Sequence, residues 1–156
     1  MRHIITAGLV IAGLTISAGA ALSDPKKAIK ARQSLMQIYS FNLGKIGAMV
    51  KGEMDYDAEL AQAFADNLQA AAAMKNSAMW PQGSGNDNPE LMELTRALPT
   101  TWSTWPAAGE KHKALIAASE AMAKAAGGGL DGLKGAIGDV GKACKGCHQD
   151  FRAKKN

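Results

Sequence analysis

The end of the chain constrains the fold most. Cys144-Lys145-Gly146-Cys147-His148 is a C-x-x-C-H pentapeptide with eight residues after it. On a helix Cys144 and Cys147 form an i,i+3 pair, and Cys144 and His148 an i,i+4 pair, so all three can share one face. That face has to be a buried one. Leu130, Leu133, Ile137, Val140, Cys144, Cys147 and Phe151 recur in alternating steps of three and four, the sharpest periodicity in the chain. The spacing is the attachment signature of a c-type haem. Two thiols add across the porphyrin vinyl groups, and His148 brings an imidazole nitrogen under the iron.

Other chemistries for the pentapeptide stay open at this point. A zinc half-site needs a second ligand pair, and the remaining histidines, His3 and His112, stand alone. A thioredoxin-like pair needs a βαβ setting, and no strand pattern surrounds the motif. A short disulfide loop does not require His148. Both cysteines of the protein lie in the motif, so none is left for a separate structural disulfide.

The other end of the chain agrees with the haem reading. Met1-Arg2-His3 is a short basic start, and Ile4 to Ala18 is a largely apolar run without charge, too short for a comfortable span. Ala18-Gly19-Ala20 reads as a cleavage site, which makes residues 1–20 a secretory signal peptide. Residues 21–156 are then the mature chain, one domain, and its expected compartment is the periplasm. Without Arg2 the net charge falls from +4 to about +3. The lysines are dispersed with no interleaved aromatics, which gives no case for nucleic acid.

The mature sequence reads as helices throughout. Asp24 is an N-cap and Pro25 fits the first position of a helix over residues 25–51, with Gly52 as its stop. Its expected apolar stripe is Ile29, Met36, Tyr39, Leu43, Ile46 and Val50. A second helix starts near Asp57 and ends near Asn76. Trp80 to Pro89 is a loop, and a short helix is expected over 90–97 with Asn88 as its cap. A third main helix runs from about Pro106 to Ala126, and the fourth carries the haem motif. Gly132, Gly135, Gly138 and Gly141 form a row at spacing three on that last helix. The row reads either as a strip for close approach by a helix or the porphyrin, or as tolerance of glycine. Phe41 and Tyr39 are expected in the core, and His112 is expected to be exposed. Four helices, short turns and one long loop suggest an all-α, antiparallel four-helix bundle with one covalent haem c.

With these features in place, the chain resembles the class II c-type cytochromes, the cytochrome c′ family. The matching segments are Arg32-Gln33-Ser34-Leu35-Met36-Gln37 on the first helix and Lys51-Gly52-Glu53-Met54-Asp55-Tyr56-Asp57 at its end. Leu98-Pro99 with Trp102, and Gly138 through Arg152, complete the match. Small cytochromes with an N-terminal motif use a downstream methionine as ligand. No methionine follows His148, which excludes that arrangement.

The resemblance implies roles. His148 becomes the proximal iron ligand, Cys144 and Cys147 hold the porphyrin, Arg32 lies near a propionate, and Arg152 lies near the proximal imidazole. Met36 falls where the family either packs an apolar side chain over an open iron site or places a ligating methionine. A ligating thioether raises the reduction potential and suits electron transfer, whereas methionine is also a common core filler. The expected function is one-electron transfer with soluble or membrane redox proteins, with no enzymatic reaction. The alternative is nitric oxide or carbon monoxide binding at an open site. A haem peroxidase would want a distal histidine, and only His112 is available. Members of the family often dimerise through their first two helices, so a homodimer is an expectation as well.

Overall fold

A computed structural model describes residues 24–155, so the expected signal peptide at 1–20 lies outside the described residues. Helix α1 is Pro25–Lys51, α2 is Ala58–Ala72, α3 is the single turn Thr100–Ser103, α4 is Trp105–Ala126 and α5 is Leu130–Phe151. Helices α1, α2, α4 and α5 contact one another in a closed ring, α1 on α2, α2 on α4, α4 on α5 and α5 on α1. This is the expected four-helix bundle, and no strand occurs among the described residues.

The helix boundaries follow local chemistry. The Asp24 carboxylate accepts from Lys26 N at 3.0 Å and Pro25 opens α1. Gly52 closes it at φ 75°, a left-handed position that glycine adopts without a Cβ clash. The Asp57 carboxylate accepts from Leu60 N at 2.8 Å, a cap contributing about 1 kcal/mol. No helix among the described residues is long and apolar enough to cross a membrane.

The core runs along the ring of four. Ile46, Met49, Ala61, Ala65, Leu68, Met122, Ala126, Leu133 and Val140 are all essentially inaccessible to solvent. On α1 the buried stripe passes through Ile29, Arg32, Leu35, Tyr39, Asn42, Ile46 and Met49. It therefore runs through Leu35 and leaves Met36 on its flank, 38% exposed. Two of its members, Arg32 and Asn42, are polar.

Several expectations are corrected. Phe41 is 59% exposed, on the outer face of α1. His112 is half-buried, with Nε2 2.9 Å from the Ala72 carbonyl. Helix α2 ends at Ala72, four residues before Asn76. No helix forms over 90–97. Asn88 does cap, its side chain accepting from Glu90 N at 3.0 Å, but the segment then makes consecutive turns that carry Thr95 and Ala97 towards α1 and α5. Tertiary bonds there outweigh helix propagation. Apart from Gly132, the glycine row of α5 does not serve close approach by another helix. Gly135, Gly138 and Gly141 are exposed, with open space where a Cβ would stand. A spacing of three drifts away from the Leu133–Val140 stripe. Only Gly132 is tight, where a Cβ would sit 3.2 Å from the Ala125 carbonyl.

Candidate haem c site

Cys144, Cys147 and His148 lie in the last turns of α5, and all three are half-buried. Cys144 packs against the main core cluster, beside partners that include Ile137 and Ala143. The stripe expected from the sequence is therefore real, with a gradient: Leu133 and Val140 are fully covered, while the thiols further along are not. Burial raises the pKa of both thiols. Burial lowers the His148 pKa, helped by the nearby charges of Arg152 and Arg96. A lowered pKa favours the neutral imidazole, the form that donates to a metal.

The opposing wall is α1. Of the four seams in the ring, the one between α1 and α5 is the most sparsely packed and that between α4 and α5 the densest. The register across the open seam follows from one contact. A Cβ at Gly47 would stand 3.9 Å from Ile137 Cδ1, so these two positions face each other. The helices run antiparallel. Eleven residues back from Gly47 is Met36, and eleven on from Ile137 is His148. Eleven residues make close to three turns and about 16 Å of rise. Met36 therefore lies level with His148 and on the α1 face that looks towards α5. Tyr39 lies one turn on from Met36, and its burial raises its hydroxyl pKa to about 12.

Arg32 lies one turn before Met36. It is 3% exposed and organises the segment between α2 and α4. Its Nη1 donates to Ser84 Oγ at 2.8 Å and to the Met79 carbonyl at 3.3 Å. Its Nη2 donates to the Ser84 carbonyl at 2.7 Å and to Thr95 Oγ1 at 2.9 Å. The guanidinium also stacks 4.5 Å from the Trp80 ring and 5.8 Å from Trp102. Trp102 Nε1 donates to the Trp80 carbonyl at 3.0 Å. Burial lowers the Arg32 pKa to about 10, which still leaves it cationic at neutral pH. No carboxylate among the described residues pairs with it. The sequence motif pointed to Arg32, yet nothing in it signalled Ser84, Thr95 or the tryptophan stack.

The organised segment then reaches the motif. Leu98 N donates to the Phe151 carbonyl at 3.0 Å, and Ala153 N donates to the Arg96 carbonyl at 2.8 Å. Ala97 and Arg152 form an isolated antiparallel bridge. Arg152 Nη1 lies 3.5 Å from His148 Nε2. Lys111 on α4 pairs with Asp150 at 3.0 Å.

The donor set fits a haem attached by two thioethers. Cys144, Cys147 and His148 lie half-buried in the last turns of α5, and Arg32 on α1 is a buried cation with no carboxylate partner among the described residues. Among the described residues, no group of three or more His, Cys, Asp or Glu side chains could hold a metal ion, so a zinc half-site finds no second half.

Known proteins give the same answer. The family model described as Cytochrome C' matches residues 27–152. Cytochrome c-554 of Cereibacter sphaeroides is 37% identical over 129 residues, covering 83% of this chain and 82% of that protein. The solved cytochrome c' from Rhodobacter Spheriodes superposes with a TM-score of 0.80 at 33% identity, covering 85% of this chain and all of the other. The nitric oxide complex of a leucine-to-alanine mutant of cytochrome c prime from Alcaligenes xylosoxidans aligns with a TM-score of 0.74 at 31% identity, over 85% of this chain and 98% of the other. The chain therefore belongs to the cytochrome c′ family, and its cofactor is a covalently attached haem c.

Proposed function

We propose that this chain is an exported, periplasmic one-electron carrier whose iron takes His148 on one side and Met36 on the other. The observation behind this reading is the register of the open seam. Met36 lies level with His148 on a facing helix, outside the close-packed stripe and 38% exposed. A methionine recruited only as core filler would be expected on the buried stripe, where Leu35 lies. The bound haem supplies a ferric/ferrous couple, and the thioether sulfur favours the ferrous side.

The remaining residues hold and shield the group. Cys144 and Cys147 fix the porphyrin to α5. Arg32, buried without a carboxylate partner, is placed to offset a propionate charge. Arg152 beside His148 adds positive charge on the proximal side, which raises the potential. Such a protein passes electrons and transforms no substrate.

A second reading has its own support. The Alcaligenes xylosoxidans relative was solved as a nitric oxide complex, which favours an open site for nitric oxide or carbon monoxide. Spectra decide between the two. Ferric protein at neutral pH is expected to be low-spin by EPR, and the low-spin signal is expected to be lost in Met36→Ala. The ferrous protein should bind carbon monoxide slowly and the variant rapidly. High-spin iron in the wild type would overturn methionine ligation and favour gas binding.

Self-association belongs to the same proposal. Ile38, Phe41 and Leu60 are 46%, 59% and 44% exposed on the outer face of α1 and α2. Phe41 meets Phe64 edge-on at 6.2 Å. An apolar patch of this kind suits a second copy of the chain. Sedimentation should show a dimer in the wild type and a monomer in Phe41→Glu. A monomer in both would end this part of the reading.

A further inference from the structure

The charge of the molecule is divided along the bundle axis. One half contains the start of α1, the end of α2, the start of α4 and the end of α5, with the segment Arg32 organises. Residues 24–38, 66–115 and 141–155 make up this half, and they carry thirteen Lys and Arg against seven Asp and Glu, a net of +6. The other half, residues 39–65 and 116–140, carries four against seven, a net of −3. Two haem propionates would still leave the first half positive. Among the described residues Arg96, Lys145, Lys154 and Lys155 enter no ion pair. Lys142 and Lys145 of this half lie beside and within the haem motif on α5.

Other cations of this half surround an open groove of about 740 Å³ lined by Gln33, Met92, Leu94, Arg96, Lys154 and Lys155 among others. Met92 and Leu94 are 53% and 45% exposed. The groove is anchored on both sides, by Gln33 Nε2 donating to the Leu94 carbonyl at 2.6 Å and by Ala153 N donating to the Arg96 carbonyl at 2.8 Å. It therefore combines two exposed apolar side chains with a rim of three unpaired cations, directly after the last turn of the haem helix.

We propose that this end of the bundle is the docking surface for an acidic redox protein, seated on the groove between Met92–Arg96 and Ala153–Lys155. The proposal rests on the electron-carrier reading. Charge complementarity identifies the partner. A positive end on a chain with a negative far end orients an anionic partner towards the haem motif before contact and speeds encounter. A protein fits better than an anionic lipid surface. Glu93 lies within the groove, the site is concave, and there is no unbroken basic run of the kind that binds lipid headgroups.

The test uses reduced holoprotein in stopped flow. One electron passes to hexacyanoferrate(III), an anion, or to tris(phenanthroline)cobalt(III), a cation, and no proton moves. Oxidation by the anion is expected to slow steeply as salt rises. The Lys154→Glu/Lys155→Glu double variant should slow it on the order of tenfold at low salt, with an unchanged midpoint potential. Lys134→Glu, the same change of sign at the far end, should leave the rate near that of the wild type. An acidic blue-copper protein as oxidant should rank the variants in the same order. Equal effects at the two ends, or no salt dependence, would overturn the docking surface while the electron carrier stands. Loss of phosphatidylglycerol-vesicle binding in the double variant, without a change in the protein-oxidant rate, would reassign the surface to a membrane. Failure of the wild type to reduce any of the oxidants would remove the electron-carrier reading, and the docking surface with it.

Discussion

The two ends of the bundle are closed by different means. At the end away from the haem motif the connections are short. Gly52 turns the chain at positive φ, and the Tyr56 hydroxyl donates to the Ala126 carbonyl at 2.8 Å while accepting from Gly129 N at 3.0 Å. Gln62 adds a bond to the Ala123 carbonyl at 2.9 Å and accepts from Gly127 N at 3.0 Å. Both turns are thereby tied together. At the haem end no short turn links α2 to α4. The long segment between them is held by Arg32, through bonds that span 47 to 63 residues of sequence. A flat macrocycle needs space between the helices, and no short turn closes the haem end. It is closed instead by a folded segment pinned to one buried side chain.

Substitutions can break this contrast. Arg32→Ala removes four hydrogen bonds and leaves Ser84 and Thr95 without their buried partner. A loss on the order of 3 kcal/mol is expected from urea unfolding, with Arg32→Lys recovering little because one ammonium cannot reach all the acceptors. A change below about 1 kcal/mol would mean that the segment holds itself. At the far end Tyr56→Phe removes one donor and one acceptor. It should cost about 1–2 kcal/mol and leave the absorption spectrum unchanged, since that end does not touch the site.

A smaller effect sharpens the boundary between the halves. Tyr39 is 6% exposed, and its hydroxyl donates to the Ala71 carbonyl at 3.2 Å. Burial raises its pKa from 10.0 to about 12. The unfolded chain then releases this proton first, so the stability Tyr39 contributes is complete below pH 10 and is lost as pH rises towards 12. Urea midpoints across that window should fall more steeply in the wild type than in Tyr39→Phe, and parallel curves would refute the assignment. The smallest effect belongs to Asp150→Asn. The Lys111–Asp150 pair has side chains 39% and 51% exposed, and breaking it should change stability by less than about 1 kcal/mol. A larger change would give the α4–α5 contact a weight its exposure does not suggest.

The legibility of the sequence follows the same division. The far end was readable because its signals are local: Gly52 and Asp57 act within a turn of where they stand. The stripe of α5 was readable because one helix face carries it. The helix expected over 90–97 did not form, because Thr95 bonds to Arg32 sixty-three residues away and Ala97 bridges Arg152. Phe41 was misplaced for a related reason. Helical spacing gives a face but does not say which of two adjacent faces meets the core.

By itself the sequence determined the cofactor, through C-x-x-C-H, and the four helices, through capping and periodicity. It also placed the C-x-x-C-H motif on the last helix. Only the tertiary structure decided that Met36 lies on the flank of the buried stripe, that the α1–α5 seam is the loosest, that Arg32 is the buried peg of the haem end, and that the cations gather there. The physical reason is that register between antiparallel helices, and the burial of a charge, are set by residues far apart in the chain. No local pattern encodes them.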